Sequence, residues 1–544
     1  MPNGPESRFR SRIVGDLNLA QDGTAGEGAA QVDPQQRVPM LIELNVRYPG
    51  GLLAVTEAFY DLWEHYAEVA GGSWPEELTS ASPVQPPVPP GLASIAPKLY
   101  QCVLSRADLR RMMDEDRQLS DQNHRPPIIF RVWPDYPLHP QIDRSAPTVK
   151  ADAAWRSYNA LGHGIVWAVI DSGIDACHPH FSQLELGAPR RKATGPKATS
   201  RKAGSRKDDP PDGLTGNLHR DFSFLVNPGG PADQAAPRPL VDESGHGTHV
   251  AGIIAGCTPD GKHPRVAESR DPGDGGYIQR AHVEKLSGMA PACELVSIKV
   301  MKRSPQGTWV TSSSAVIRAL TYLRTEVNVD PGVLRVHGVN MSLGSEWRPD
   351  QYAAGQSPLC RAVNQLVASG VVVVVSAGNY GARTSVGDAA NTSAIMGSIT
   401  EPAHAEDCIA VGSTHREAPH AFGVTWTSGK GPTLDGRMKP DVVAPGEWIA
   451  SAASGEVRAQ AGLDPPGGAT DLASLLTYAE QSGTSMAAPH VSGVIAAFLS
   501  ARPEFIGRPR QVKSLLTASA TDIGRERFAQ GAGLVDLMRM LANV

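Results

Sequence analysis

The chain has 544 residues, 41% hydrophobic and 20% charged, a composition that suits a globular protein with a sizeable buried core. Its net charge of −5 gives no reason to expect a nucleic-acid or membrane partner for the chain as a whole. The six cysteines stand apart, with no Cys-x-x-Cys pair and no metal-ligand spacing, so free thiols are expected rather than a disulfide framework or a zinc site. Met1 to Asp16 carries Arg8, Arg10 and Arg12 without a following apolar stretch. No secretory leader is read there, and a cytoplasmic protein is the expectation. The longest apolar runs, such as Val371 to Val375, are too short to cross a bilayer.

Residues 1–37, rich in Gly, Gln, Asp and Arg, read as a disordered arm. Residues 38–135 carry a small α/β pattern. A strand is expected at Met40 to Val46 and an amphipathic helix at Leu53 to Val69, followed by a Pro-rich linker from Pro83 to Pro90. A strand at Leu99 to Leu104, a helix from Arg106 to about Arg117 and a strand at Ile128 to Val132 complete the unit. Ser105 with Asp108 is an N-terminal signal for that second helix. Residues 136–147 form a Pro-rich connector, and a larger domain occupies 148–544. There, apolar runs at Ile165 to Ile170, Leu295 to Val300, Val336 to Met341, Gly370 to Ser376 and Cys408 to Val411 alternate with helical patterns. Such runs predict a doubly wound α/β domain whose parallel sheet is buried on both faces. Polar insertions interrupt it near 182–238, 258–285 and 454–471. The first holds eight basic residues between Arg190 and Lys207 and reads as a solvated loop.

Chemistry concentrates at four motifs. Ile165 to Ile170 runs into Asp171-Ser172-Gly173, which sets a carboxylate at the edge where α/β sheets bind ligands. His246 stands between Gly245 and Gly247 just before a small-residue helix. The valine run ends in Ser376-Ala377-Gly378-Asn379, so an amide also lies at a strand's carboxyl end, where it can meet a developing oxyanion. Ser485, in Ser482-Gly483-Thr484-Ser485-Met486-Ala487-Ala488-Pro489-His490-Val491, opens an apolar helix whose N-terminal N–H groups favour negative charge. A serine hydroxyl is a poor nucleophile alone and needs a base and an orienting acid, and His246 and Asp171 supply those residue types. His246 and His249 at i, i+3, with no third ligand nearby, make a weak metal pair.

The order Asp171, His246, Asn379, Ser485 resembles the subtilisin-like serine proteases. The match covers about residues 148–540 and includes Ala168 to Asp175, His246 to Gly252, Asn340 to Gly344, Gly483 to His490 and Lys439 to Gly446. The resemblance implies a serine endopeptidase acting on protein or peptide substrates through Ser485, His246 and Asp171, with Asn379 as oxyanion donor. It also implies that Ser342-Leu343-Gly344 pairs with the substrate backbone and forms one wall of the P1 pocket, with Ala377-Gly378 as the other. Glu401, in Glu401-Pro402-Ala403, is expected near the pocket floor, favouring basic P1 residues. Secreted members carry a calcium-binding Asp after the His-Pro that follows the aspartate strand. Here His178-Pro179 is followed by His180, a poor ligand for a hard cation, so the usual calcium site is expected to be missing and no cofactor is expected.

The N-terminal unit resembles that family's inhibitory propeptide, a small ferredoxin-like α/β domain. The resemblance implies that it blocks the cleft with its C-terminal tail until cleavage between Tyr136 and Pro147. Two further readings use the same constellation: a peptide ligase or macrocyclase that resolves the acyl-enzyme with an amine, and a self-inhibited scaffold whose activity is rarely released.

Overall fold

The computed structural model describes residues 37–70, 88–134, 137–140, 145–184, 186, 218–226, 238–259, 262, 264–269, 276–281, 286–330, 332–346, 352–385, 388–464 and 475–544. The expected arm up to residue 36, most of the Pro83 to Pro90 linker, the basic run from Arg190 to Lys207 and residues 465–471 lie outside these.

In the N-terminal unit, strands β1 (Arg37–Leu44), β2 (Leu92–Ala96), β3 (Leu99–Ser105) and β4 (Ile129–Pro134) form an antiparallel sheet in the order β2-β3-β1-β4. Helix α1 (Gly51–Glu64) joins β1 to β2, and α2 (Arg106–Asn123) joins β3 to β4. This is the ferredoxin-like arrangement. Ser105 caps α2 as expected, its hydroxyl accepting from Asp108 N at 3.0 Å. Strand β2 follows the Pro-rich stretch and was not anticipated.

The period of two along β1 divides its side chains between two cores. Met40, Ile42 and Leu44 pack with Phe59, Trp63 and Met112 inside the unit. Leu41 instead joins Ala93, Ile95, Leu99 and Trp133 in the core of the larger domain.

That larger domain is built on seven strands, all parallel, in the order β19-β18-β15-β13-β6-β10-β7. They are β6 (Val166–Asp171), β7 (Arg220–Asp221), β10 (Glu294–Lys299), β13 (Gly338–Met341), β15 (Val372–Ser376), β18 (Ile409–His415) and β19 (Val442–Glu447). Trp167 and Val169 face a core containing helices α3 (His246–Ile254) and α6 (Thr484–Ala501). Ala168 and Ile170 face the opposite core, which contains α4 (Ser313–Tyr322) and α5 (Pro358–Ala368). Both faces are therefore covered, as continuous apolar strands require. Helix α6 is apolar and long enough to cross a membrane, yet it forms the buried centre of this domain.

The expected polar insertion at 258–285 contains regular structure instead. Strands β8 (Arg265–Ser269) and β9 (Tyr277–Ala281) form a hairpin, and β8 adds in parallel to β21 (Thr477–Gln481), which pairs with β20 (Ile449–Ala452). A further hairpin, β16 (Ala382–Ser385) with β17 (Asp388–Ala394), follows Asn379.

The two domains meet through the outer face of the N-terminal sheet. Gln101, fully buried, donates from Nε2 to Leu225 O at 3.2 Å and to the Ser314 hydroxyl at the start of α4. Glu43, also buried, accepts from Lys98 Nζ at 2.9 Å, from Trp133 Nε1 at 3.2 Å and from Arg361 on α5. The Arg361 guanidinium also lies 5.4 Å from the centroid of Trp133, whose ring meets Tyr352 edge-on at 5.7 Å. Burial by itself would raise the Glu43 pKa, but Arg361 and Lys98 bring it below the ordinary carboxylate range.

A pKa lowered by folding adds stability above the unfolded value and loses it as pH falls through the folded one. Glu43→Gln is therefore expected to cost about 1–3 kcal/mol in urea unfolding near neutrality. Its deficit should shrink on titration below about pH 4. A deficit that does not change with pH would show that the carboxylate charge does not hold the domains together.

Candidate active site

The parallel strands bring three motifs to one edge. Met341 pairs with Ile170 on one side and with Val375 on the other, so Asp171, Ser342 and Ser376 follow side by side at the carboxyl ends of β6, β13 and β15. Asp171 Oδ1 accepts from Ser172 N at 2.7 Å and bonds His246 Nδ1 at 2.7 Å. Both side chains are buried, with solvent exposures of 0% and 3%, which strengthens the attraction between carboxylate and imidazole.

The glycines beside His246 have a steric cause. Gly245 has φ +89°, and a Cβ there would lie 2.0 Å from Ser454 O; one on Gly247 would lie 2.1 Å from Gly173 O. Only bare backbone lets the start of α3 sit against the end of β6.

Asp242, which motif reading did not assign, fixes this junction. Its Oδ1 accepts from Ser172 Oγ and Gly245 N, each at 2.9 Å. Its Oδ2 accepts from Thr248 N at 2.8 Å and Thr248 Oγ1 at 2.7 Å. Ser172 Oγ in turn accepts from Gly247 N at 2.9 Å, so the residue after the aspartate is tied to the residue after the histidine. An acidic residue shortly before a helix start is the signal that was available for it.

Ser485 is the second residue of α6, within the turn where unpaired N–H groups gather. Its hydroxyl donates to Ser342 O at 3.1 Å, and its own carbonyl accepts from Ser342 Oγ at 2.6 Å. Asn340 Nδ2 supports Ser342 Oγ at 2.9 Å, and Ser492 Oγ supports Asn340 Oδ1 at 2.9 Å. The start of the helix is thus latched to the end of β13. Asn379 Oδ1 accepts from Thr484 N at 3.0 Å and Thr484 Oγ1 at 3.1 Å, which ties the amide to the residue before Ser485. Gly378 N donates to the same Thr484 hydroxyl at 3.2 Å.

Two backbone edges border the site. One is β14 (Leu343–Gly344); the other is β12 (Trp309–Ser312), which continues a hairpin with β11 (Lys302–Arg303) and was not assigned from sequence. Between them runs β5 (Pro137–Pro140), antiparallel to both. Leu138 pairs with Thr311, His139 with Gly344 and Pro140 with Leu343. The connector's residues 141–144 lie outside the described residues.

Glu401 sits elsewhere than expected. It is 4% exposed, and its carboxylate accepts from Tyr352 OH at 3.0 Å and from the Cys360 thiol of α5 at 3.5 Å. Burial pushes its pKa up to about 7. A carboxylate engaged with α5 cannot also receive a basic P1 side chain, which corrects the reading of Glu401 as a specificity residue.

His180, which follows His178-Pro179, is engaged inside the fold. His180 bonds Tyr478 OH at 2.9 Å through Nδ1, and Gly252 O and Ala255 O at 3.1 Å through Nε2. Both ring nitrogens are thus used inside the fold, and burial pushes the His180 pKa down to about 4, so the ring is neutral. Among the described residues no three His, Cys, Asp or Glu side chains stand together around an ion position.

Residues 162–533 match the subtilase family. M-protease of Shouchella clausii is 29% identical over 59% of this chain and 58% of its own length. Subtilisin DY of Bacillus licheniformis is 29% identical over 54% of this chain and 77% of its own length. Subtilisin E of Bacillus subtilis is 26% identical over 76% of this chain and 75% of its own length. The chain therefore spans little more than half the length of the first of these relatives. They are mostly secreted subtilisins, which overturns the cytoplasmic expectation; lack of an apolar stretch after three arginines does not fix a compartment. With a matching span of more than half its length, the chain belongs to the subtilase family.

Proposed function

We propose that the chain is a serine endopeptidase held in check by its own N-terminal domain. Ser485 would attack the scissile carbonyl after its hydroxyl turns from Ser342 O to His246 Nε2, which takes the proton and later returns it to the leaving amine. Asp171 would hold Nδ1–H and stabilise the imidazolium. The Asn379 amide and the Ser485 N–H would receive the oxyanion, and removal of one such donor costs about 3–4 kcal/mol of transition-state stabilisation. The observation that carries the inhibitory half is β5, paired with both edges that an extended peptide substrate would use. A strand that fills those edges excludes another.

Asp171→Asn is expected to lower kcat by about 10⁴-fold through the wrong imidazole tautomer, with KM little changed. Loss of less than tenfold would remove Asp171 from the machinery. N-terminal sequencing of the wild type after incubation should reveal a new end between Tyr136 and Pro147, absent in Ser485→Ala. A wild-type chain that stays intact would end the self-processing reading.

The His180 network would take over the structural role of a bound calcium ion, so thermal stability should not depend on that metal. Chelation with EDTA is expected to leave Tm unchanged. A large rise in Tm when millimolar calcium is added to metal-free protein would contradict this.

A further inference from the structure

The N-terminal domain carries a groove that takes no part in its contact with the larger domain. One face of its sheet packs on that domain through Glu43 and Gln101, and α1 and α2 cover the other face. Between the second halves of these helices lies a cavity of about 440 Å³. Leu62 and Ile128, 2% and 5% exposed, form its floor, and Leu119, 36% exposed, stands at its edge. Two polar contacts join its walls. His65 Nδ1 meets Glu115 Oε1 at 2.7 Å, and Arg125 Nη1 donates to Tyr48 OH at 3.2 Å.

Charge in this groove is one-sided: beside His65, four carboxylates line it against a single guanidinium, that of Arg125. Asp116 is engaged with Ile128 N at 2.8 Å and Ile129 N at 3.2 Å, and Glu115 with His65 and with Tyr66 OH. Asp61 and Glu64 are exposed and form no ion pair among the described residues. An apolar floor below two such carboxylates fits an extended segment in which arginines alternate with apolar side chains. The sequence contains one, Arg8-Phe9-Arg10-Ser11-Arg12-Ile13-Val14. Its three arginines recur every second residue, the period that sets them on one side of an extended backbone and Phe9 and Ile13 on the other. The long arginine stems can then bend to the rim while their charged ends stay in water.

The tether suits the distance. Gly15 to Gln36, rich in Gly, Ala and Gln, separates this segment from β1, and a chain of that length and composition reaches about 25 Å. Arg37 pairs with Ser105, from which Glu115 lies about 15 Å along α2. A tether matched to its span holds a ligand at about millimolar local concentration, so individually weak contacts suffice to fill the groove.

We propose that the α1–α2 groove is the docking site of residues 8–14 of the same chain, with Phe9 and Ile13 on Leu62 and Ile128 and the arginines at Asp61 and Glu64. The docked arm clamps the two helices of the N-terminal domain together. This inference stands independently of the peptidase reading.

The test uses the full chain with Ser485→Ala, which stays intact whether or not the wild type processes itself. With p-benzoylphenylalanine in place of Phe9, illumination is expected to attach the arm to residues 58–65 or 115–128 of its own chain, read by mass spectrometry of the digested monomer. In amide exchange without the photoprobe, changing Arg8, Arg10 and Arg12 to Glu should speed exchange in those two segments by roughly tenfold, two lost ion pairs being worth about threefold each. Adding Asp61→Lys and Glu64→Lys to that variant reverses both partners and should restore most of the protection. Both positions are exposed, so these changes leave the domain's core intact. Adducts elsewhere in the chain, the absence of any adduct, or adducts between chains, as a second copy in the groove would give, overturn the proposal. So does exchange that ignores the arginine reversal, or that stays fast in the chain with both partners reversed.

Discussion

The site depends on one row of side chains, Ile170, Met341 and Val375, paired across three neighbouring parallel strands. Because the strands are parallel and in this register, the next residue of each emerges at the same edge. Asp171, Ser342 and Ser376 stand together for that reason, though they are far apart in the chain. A slip of one residue in β13 would exchange its two faces and carry the Ser342 latch away from Ser485. Register is protected by burial on both sides, since Trp167 and Val169 fill one core and Ala168 and Ile170 the other. Hydrophobic patterning along the strands therefore underlies the geometry of this cluster as well as stability.

Helix starts supply the remaining groups. His246 and Ser485 each lie in the first turn of a helix, and each helix is tied to a strand end by short polar side chains. Asp242 and Ser172 do this for α3, and Ser342 and Asn340 for α6. The rigid sheet sets where the helices begin, and these ties set where the His246 and Ser485 side chains rest. The N-terminal domain uses the same means: the face of its sheet opposite its own core buries Glu43 and Gln101 against α4 and α5, and the chain then runs on into β5.

Much of this was legible in the sequence because it is local. The strand runs, the Ser105 cap of α2, the glycines around His246 and the aspartate at the end of β6 each show a physical cause within a few residues. What escaped reading depends on partners far away in the chain. Strand β2 is short and follows a proline-rich segment, and it becomes a strand only by pairing with β3. The β8–β9 hairpin sits in a stretch whose glycine, proline and charge content suggested a loop, and β21 supplies its partner. Glu401 was read by its place in a motif, but its side chain follows Tyr352 and Cys360.

The central claim is that Ser485 is an activated nucleophile in a cleft that its own tail shares with substrate. Mass spectrometry of the Ser485 peptide after fluorophosphonate treatment tests this most directly, with the intact chain compared with protein freed of residues 1–147. The account predicts an adduct on Ser485 in both, forming slowly in the intact chain and much faster once the tail is gone. An unmodified Ser485 in both, or equal labelling rates in the two, would contradict it.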